Sequence, residues 1–179
     1  MKVTPLGIAD AALLESTPHL DERGAFEVFW EAGKGLDGAP SMRPWGAYHS
    51  YNDKAHTLRG LHYQAHPHDQ ARLVSCVRGS IWDVMVDLRP RSPTYLRWEA
   101  FALVEAGGCA VYVPRGCAHG FLTLEDRSTV SYLIEGPYVP ESLTTLRWND
   151  PAIGIEWPLP PRSHLTISVR DRTAPDFRR

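Results

Sequence analysis

Cysteine is scarce in this 179-residue chain, with only Cys76, Cys109 and Cys117 present. Three is an odd number and no CxxC pair occurs, so neither a disulfide framework nor a zinc knuckle is expected. The three read as small buried hydrophobes. No apolar run is long enough to cross a bilayer. A surplus of one charge sign is also missing: 19 basic residues face 21 acidic ones, for a net charge of -2. That balance does not suggest nucleic acid or an anionic membrane as partner. The first residues, MKVTPLGIADAALLES, lack the basic start and apolar block of a secretory signal. A cytoplasmic protein is expected.

What is present is ordinary for a soluble globular chain, at 43% hydrophobic and 22% charged residues. The length fits one domain over residues 1–179 with a substantial core. Fifteen prolines and fourteen glycines punctuate the chain without forming a low-complexity tract. No repeat or composition shift marks a second domain, and Gly33–Pro44 reads as a surface loop. Most periodic segments are short and rich in β-branched and aromatic residues. Ala25–Trp30, Arg72–Val77, Ile81–Leu88, Leu96–Leu103, Cys109–Val113 and Thr129–Ile134 read as strands. Turn signals separate them, among them Arg78-Gly79, Gly107-Gly108 and Pro114-Arg115-Gly116. Ile8–Glu15 and Pro140–Thr144 read as short helices, and Pro158–Pro161 as an extended arm. The pattern predicts an all-β sandwich or barrel with a few short helices.

Strand parity adds detail. Val130, Tyr132 and Ile134 share one face of their strand, taken as interior. Asp83, Met85 and Asp87 share a face opposite Trp82, Val84, Val86 and Leu88. That acidic face either meets solvent or places Asp83 in a polar cavity inside a barrel.

The residues that carry chemistry cluster in Leu58–Gln64 (LRGLHYQ), Gln70-Ala71-Arg72 and Val113–Phe121 (VPRGCAHGF). Pro-x-Gly-x-x-His at a strand–turn–strand junction resembles the second motif of cupins, a jelly-roll superfamily. These blocks, with Asp21-Glu22-Arg23-Gly24, WDVMVDLR (82–89), SPT (92–94), Tyr132, Tyr138–Glu141, WNDPAIGIEWP (148–158) and SVRD (168–171), run in one order along nearly the whole chain. Together the chain closely resembles the dTDP-4-dehydrorhamnose 3,5-epimerase family, whose members are cupin-like.

The resemblance implies a cofactor-free epimerase of a nucleotide-linked 4-keto-6-deoxy sugar on a jelly-roll barrel. His62 would remove a proton alpha to the C4 ketone and Asp171 would orient the imidazole. Tyr132 would return a proton from the opposite face of the sugar, and Arg72 would stabilise the enolate. Arg59 and His119 would bind the diphosphate, with Arg23 reaching in from a neighbouring chain of a strand-exchanged homodimer. Tyr138, Phe26 and His49 would complete the substrate pocket. The chemistry fits: inversion needs one group to take a proton and another to deliver it from the far side. The enolate needs a fixed cation, and a diphosphate needs guanidinium donors.

Four positions depart from the family pattern. Arg72 stands where Lys is usual, Ala47 and His49 where Gln and Asn are usual, and Val28 where Glu is usual. The nucleotide base and the number of carbons inverted stay open. A metal-dependent cupin is a second reading, with His66, His68 and His119 as donors. A catalytically silent cupin that only binds a sugar nucleotide is a third.

Overall fold

A computed structural model describes residues 1–31 and 42–177 of the chain. The expected loop Gly33–Pro44 therefore lies mostly outside the described residues. The strands are β1 (Lys2–Pro5), β2 (Ala12–Glu15), β3 (His19–Asp21), β4 (Gly24–Phe26), β5 (Gly46–Asn52), β6 (Thr57–Gln64) and β7 (Ala71–Arg78). They continue with β8 (Ser80–Asp87), β9 (Trp98–Val104), β10 (Cys109–Val113), β11 (Cys117–Thr123), β12 (Ser128–Glu135), β13 (Leu143–Thr145) and β14 (Thr166–Ile167). A single-turn helix, α1 (Val169–Arg172), follows. One sheet has the order β1-β2-β10-β7-β12-β5 and the other β13-β6-β11-β8-β9, with β14 parallel to β6; β3 and β4 form a separate hairpin. The all-β expectation holds. No helix among the described residues is long and apolar enough to cross a membrane.

The core lies between the two sheets. Val74, Cys76, Val111, Val113 and Val130 of the first sheet meet Ile81, Met85, Leu103 and Phe121 of the second. Each large side chain buried here contributes roughly 1.5–3 kcal/mol of transfer free energy. The outer face of the second sheet is covered as well: Leu61, Val84, Val86 and Ala118 pack under Leu146, Ile153 and Trp157. Trp157 also donates from its indole to the carbonyl of Trp148 at 2.8 Å.

Parity on β12 came out as expected, with Val130 fully buried and Tyr132 packed against the inter-sheet core. On β8 the structure chooses between the two readings: Asp83, Met85 and Asp87 are all 0% exposed. The acidic face is the interior one, and Trp82, Val84 and Val86 look outward to the covering segment.

Three assignments are corrected. The helix expected over Ile8–Glu15 is a turn followed by strand β2. Asp10 has φ of 65°, which breaks a right-handed helix, and β2 pairs on both sides with β1 and β10. Pairing outweighs the helix preference of an Ala/Leu-rich stretch. The expected strand Ala25–Trp30 ends at Phe26, because Phe29 and Trp30 turn back to pack on the outer face of the first sheet. Pro140–Thr144 is a 3-10 turn over Pro140–Ser142 that passes directly into β13.

Candidate functional site

The site is built around an irregularity in β6. His62 stands opposite His119 of β11, but Arg59 stands opposite Phe121. Two residues on β6, Gly60 and Leu61, therefore face one on β11, Gly120, which is a bulge. Strict alternation would send Arg59 and His62 to opposite faces. The bulge lets both line one cavity. Gly60 has φ of 120°, and a Cβ there would lie 2.7 Å from the Gly120 Cα and 2.9 Å from the His119 carbonyl oxygen. Only glycine fits both the backbone and this close approach of two strands.

The bulge also leaves the Gly60 N–H without a ladder partner, and Asp171 supplies one. Asp171 Oδ2 accepts from Gly60 N at 3.2 Å, while Oδ1 lies 2.7 Å from His62 Nε2. Asp171 is 3% exposed and is held from below by Ser168, whose hydroxyl accepts from the Asp171 N–H. Burial pushes its carboxyl pKa up. The hydrogen bond and charge of His62, with donors from Gly60 and Ser168, outweigh that and hold it below the usual carboxylate value. An ionised Asp171 can only accept, so Nε2 carries the imidazole proton and Nδ1 keeps its lone pair.

Across the cavity, Tyr132 projects from β12 of the other sheet. Burial raises its phenol pKa above the ordinary value, and Asp83 adds to the rise; Arg72 and Arg59 pull the other way. The phenol is therefore protonated at neutral pH. Arg72, from neighbouring β7, is 9% exposed and donates from Nη1 to the His62 carbonyl at 3.2 Å. Its Nε is buried without a partner.

His119 is 3% exposed, with Nε2 lying 2.7 Å from Asp83 Oδ1. Its ring meets Tyr132 edge-on at 6.0 Å between centroids. A second, fully buried His–carboxylate pair thus underlies the tyrosine, and Asp83 is its carboxylate. Arg59 is oriented by Asn52 Oδ1 at 2.7 Å and by the Tyr51 carbonyl at 3.3 Å.

The cavity has a volume of about 430 Å³. It gathers His62, Arg72, Tyr132, Arg59, His119 and Tyr138, with Asp171 behind His62. Three expected residues are not brought to it within this chain. Arg23 and Phe26 sit on the β3–β4 hairpin, where Arg23 pairs with Asp21 at 2.5 Å and Phe26 is 67% exposed. His49 is a correction: its neighbour Tyr48 stands opposite Tyr132 and lines the cavity, so alternation turns His49 outward, where it stacks on Tyr51. Tyr48, Gln70, Phe121, Ile134 and Leu143 also line the cavity and escaped the sequence reading. Parity on β12 pointed to Ile134. Tyr48 needed knowledge of which strand pairs with β12.

The donors of the metal-cupin reading do not converge. His66 is exposed beside Asp69, and His119 is engaged with Asp83. Among the described residues no group of three His, Cys, Asp or Glu side chains is placed to share an ion.

Comparison with known proteins agrees with this geometry. The family model described as dTDP-4-dehydrorhamnose 3,5-epimerase matches residues 5–179. A dTDP-4-dehydrorhamnose 3,5-epimerase of Mycobacterium tuberculosis is 38% identical over 99% of this chain and 88% of its own length. A dTDP-4-dehydrorhamnose 3-epimerase of Streptomyces niveus is 36% identical over 97% of this chain and 83% of its own. The crystal structure of dTDP-4-dehydrorhamnose 3,5-epimerase from Bacillus anthracis, with TDP and PPi bound, superimposes with a TM-score of 0.92. It is 33% identical and covers 98% of this chain and 99% of that one. With the jelly-roll architecture, the full-length match and a cavity walled by His62 and Tyr132, the chain is an epimerase belonging to the dTDP-4-dehydrorhamnose 3,5-epimerase family.

Proposed function

We propose that the protein inverts C3 and C5 of dTDP-4-keto-6-deoxyglucose, in the cytoplasm, by successive enolisations that need no metal or organic cofactor. The C4 ketone already acidifies its neighbouring carbons, so a base, an acid and a fixed cation are sufficient. One observation carries this reading: His62 of one sheet, backed by the Asp171 carboxylate, and a protonated tyrosine from the other sheet line the same cavity.

In this reading His62 Nδ1 takes the proton alpha to the ketone. Asp171 holds the imidazole in the tautomer that can do so and stabilises the imidazolium that forms. Tyr132 delivers a proton from the far side. Arg72 stabilises the enolate oxygen; an arginine cannot give up its proton, so here it acts by charge alone. Arg59 and His119 bind the diphosphate.

Arg23 and Phe26 act in the site of a second copy. The β3–β4 hairpin pairs only with itself among the described residues, and Leu20 and Phe26 on it are 76% and 67% exposed. Such a hairpin suits strand exchange in a homodimer. With Ala47 in place of an amide side chain, the base contact is the feature most open to change.

The test is incubation with dTDP-4-keto-6-deoxyglucose in heavy water, followed by proton NMR at C3 and C5. Deuterium at both carbons with inversion supports the proposal. Label at C3 alone makes the chain a single-centre epimerase, the activity in the name of the Streptomyces niveus relative. No label at either carbon overturns this substrate.

A further inference from the structure

Gln64 closes strand β6 two residues beyond His62, is 2% exposed, and does not itself line the cavity. Its amide bonds to two separate loops. Oε1 accepts from the Val139 N–H at 2.7 Å, and Nε2 donates to the Pro137 carbonyl at 3.1 Å. Those two partners flank Tyr138. Nε2 also donates to the His68 carbonyl at 2.6 Å, in the loop that leads into β7 and Arg72. Gln70 reinforces the arrangement by donating to the carbonyls of Gly136 at 3.0 Å and Pro137 at 2.8 Å.

Only an amide satisfies this set of partners. Glutamate keeps the acceptor for Val139 but turns an oxygen toward two carbonyls. Leucine leaves the Val139 N–H and the His68 carbonyl without this partner, while Pro137 keeps only its bond from Gln70, and a buried polar group without a partner is costly. Tyr138, by contrast, is 58% exposed while lining the cavity. A half-open aromatic wall needs its backbone fixed from elsewhere, and the backbone groups on both sides of it are bonded to Gln64.

We infer that Gln64 is a positioning residue for substrate: it clamps the 136–139 loop so that Tyr138 forms a wall of the cavity, and it governs affinity through Tyr138. The inference rests on reading the cavity as the sugar-nucleotide site. The clamp and the effect on affinity are separable by experiment.

Amide hydrogen exchange reads the clamp without substrate. The Val139 amide is expected to be protected in the wild type and to lose protection in Gln64→Leu, while Tyr132 within β12 stays protected. Equal protection of Val139 in both proteins overturns the clamp. Kinetics with dTDP-4-keto-6-deoxyglucose reads the consequence. Gln64→Glu, which keeps the side-chain length and serves if Gln64→Leu does not fold, is expected to raise KM about tenfold with kcat within about twofold. In a Tyr138→Ala background the same substitution is expected to leave KM unchanged, because the contact it supports is gone. An equal rise in that background, or a fall in kcat at constant KM, overturns action through Tyr138. If the wild type does not turn over this sugar, the proposed function fails while amide exchange still decides the clamp.

Discussion

His62 and Tyr132 lie in different surroundings, which suit the opposite tasks proposed for them. His62 is tied to a carboxylate that its neighbours keep ionised, which fixes the proton on Nε2. Tyr132 is held protonated by burial next to Asp83. His62→Ala is expected to lower epimerisation by roughly 10²–10⁴-fold, the usual worth of a positioned proton transfer. Nucleotide affinity, read by calorimetry with dTDP, should change little, since the proposed diphosphate contacts Arg59 and His119 are retained; a variant that epimerises normally would remove His62 from the mechanism. The residues gathered in the cavity were legible because each sits in a block of unusual density, such as LRGLHYQ. His49 was misplaced because one residue decides the face of a strand. The Asp83–His119 pair joins residues 36 positions apart, and nothing local to either announces it.

Among the elements, β6 does most to shape the site. Its bulge turns Arg59 and His62 to one side, and its free N–H anchors Asp171. Gly60 lies between Arg59 and His62 in the chain, the point where alternation must fail if both side chains enter one cavity. Gly60→Ala would place a methyl group 2.7 Å from Gly120 Cα at a φ of 120°. The expected cost is on the order of 3 kcal/mol in urea denaturation, with most activity lost in whatever folds. Wild-type stability and turnover in this variant would show that the bulge is dispensable. Elsewhere, local signals yielded to pairing. Ala11–Glu15 has the composition of a helix, yet it becomes β2 because β1 and β10 supply partners on both sides. That information lies in distant segments.

At the scale of the whole molecule, two sheets closing on a mixed interior must find partners for the carboxylates they bury. Asp87 is fully buried and accepts from Arg89, Ser92 and Thr94. Burial alone would raise its pKa, but these donors bring it from 3.8 down to about 2. A carboxylate lowered on folding stabilises the protein above its unfolded value and loses that contribution as pH falls toward the folded one. Asp87→Asn is therefore expected to cost about 2 kcal/mol at neutral pH. In urea titrations the gap from wild type should close as pH drops from 3.8 toward about 2; a gap constant with pH would place the effect in packing instead. The proposed strand-exchanged homodimer predicts a solution mass twice the 20.1 kDa of one chain, lowered toward one chain by Phe26→Asp. A wild-type monomer with full activity would contradict it.

In the proposed mechanism, protons are taken and returned from opposite walls of one cavity. The most direct measurement is Tyr132→Phe acting on dTDP-4-keto-6-deoxyglucose in heavy water, with deuterium content and configuration at C3 and C5 read together by NMR. In this variant His62 is expected still to remove protons and to return them only to the side they left, so deuterium enters with configuration retained. Inversion at the wild-type rate would contradict it, because the far-side proton would then come from a group other than Tyr132.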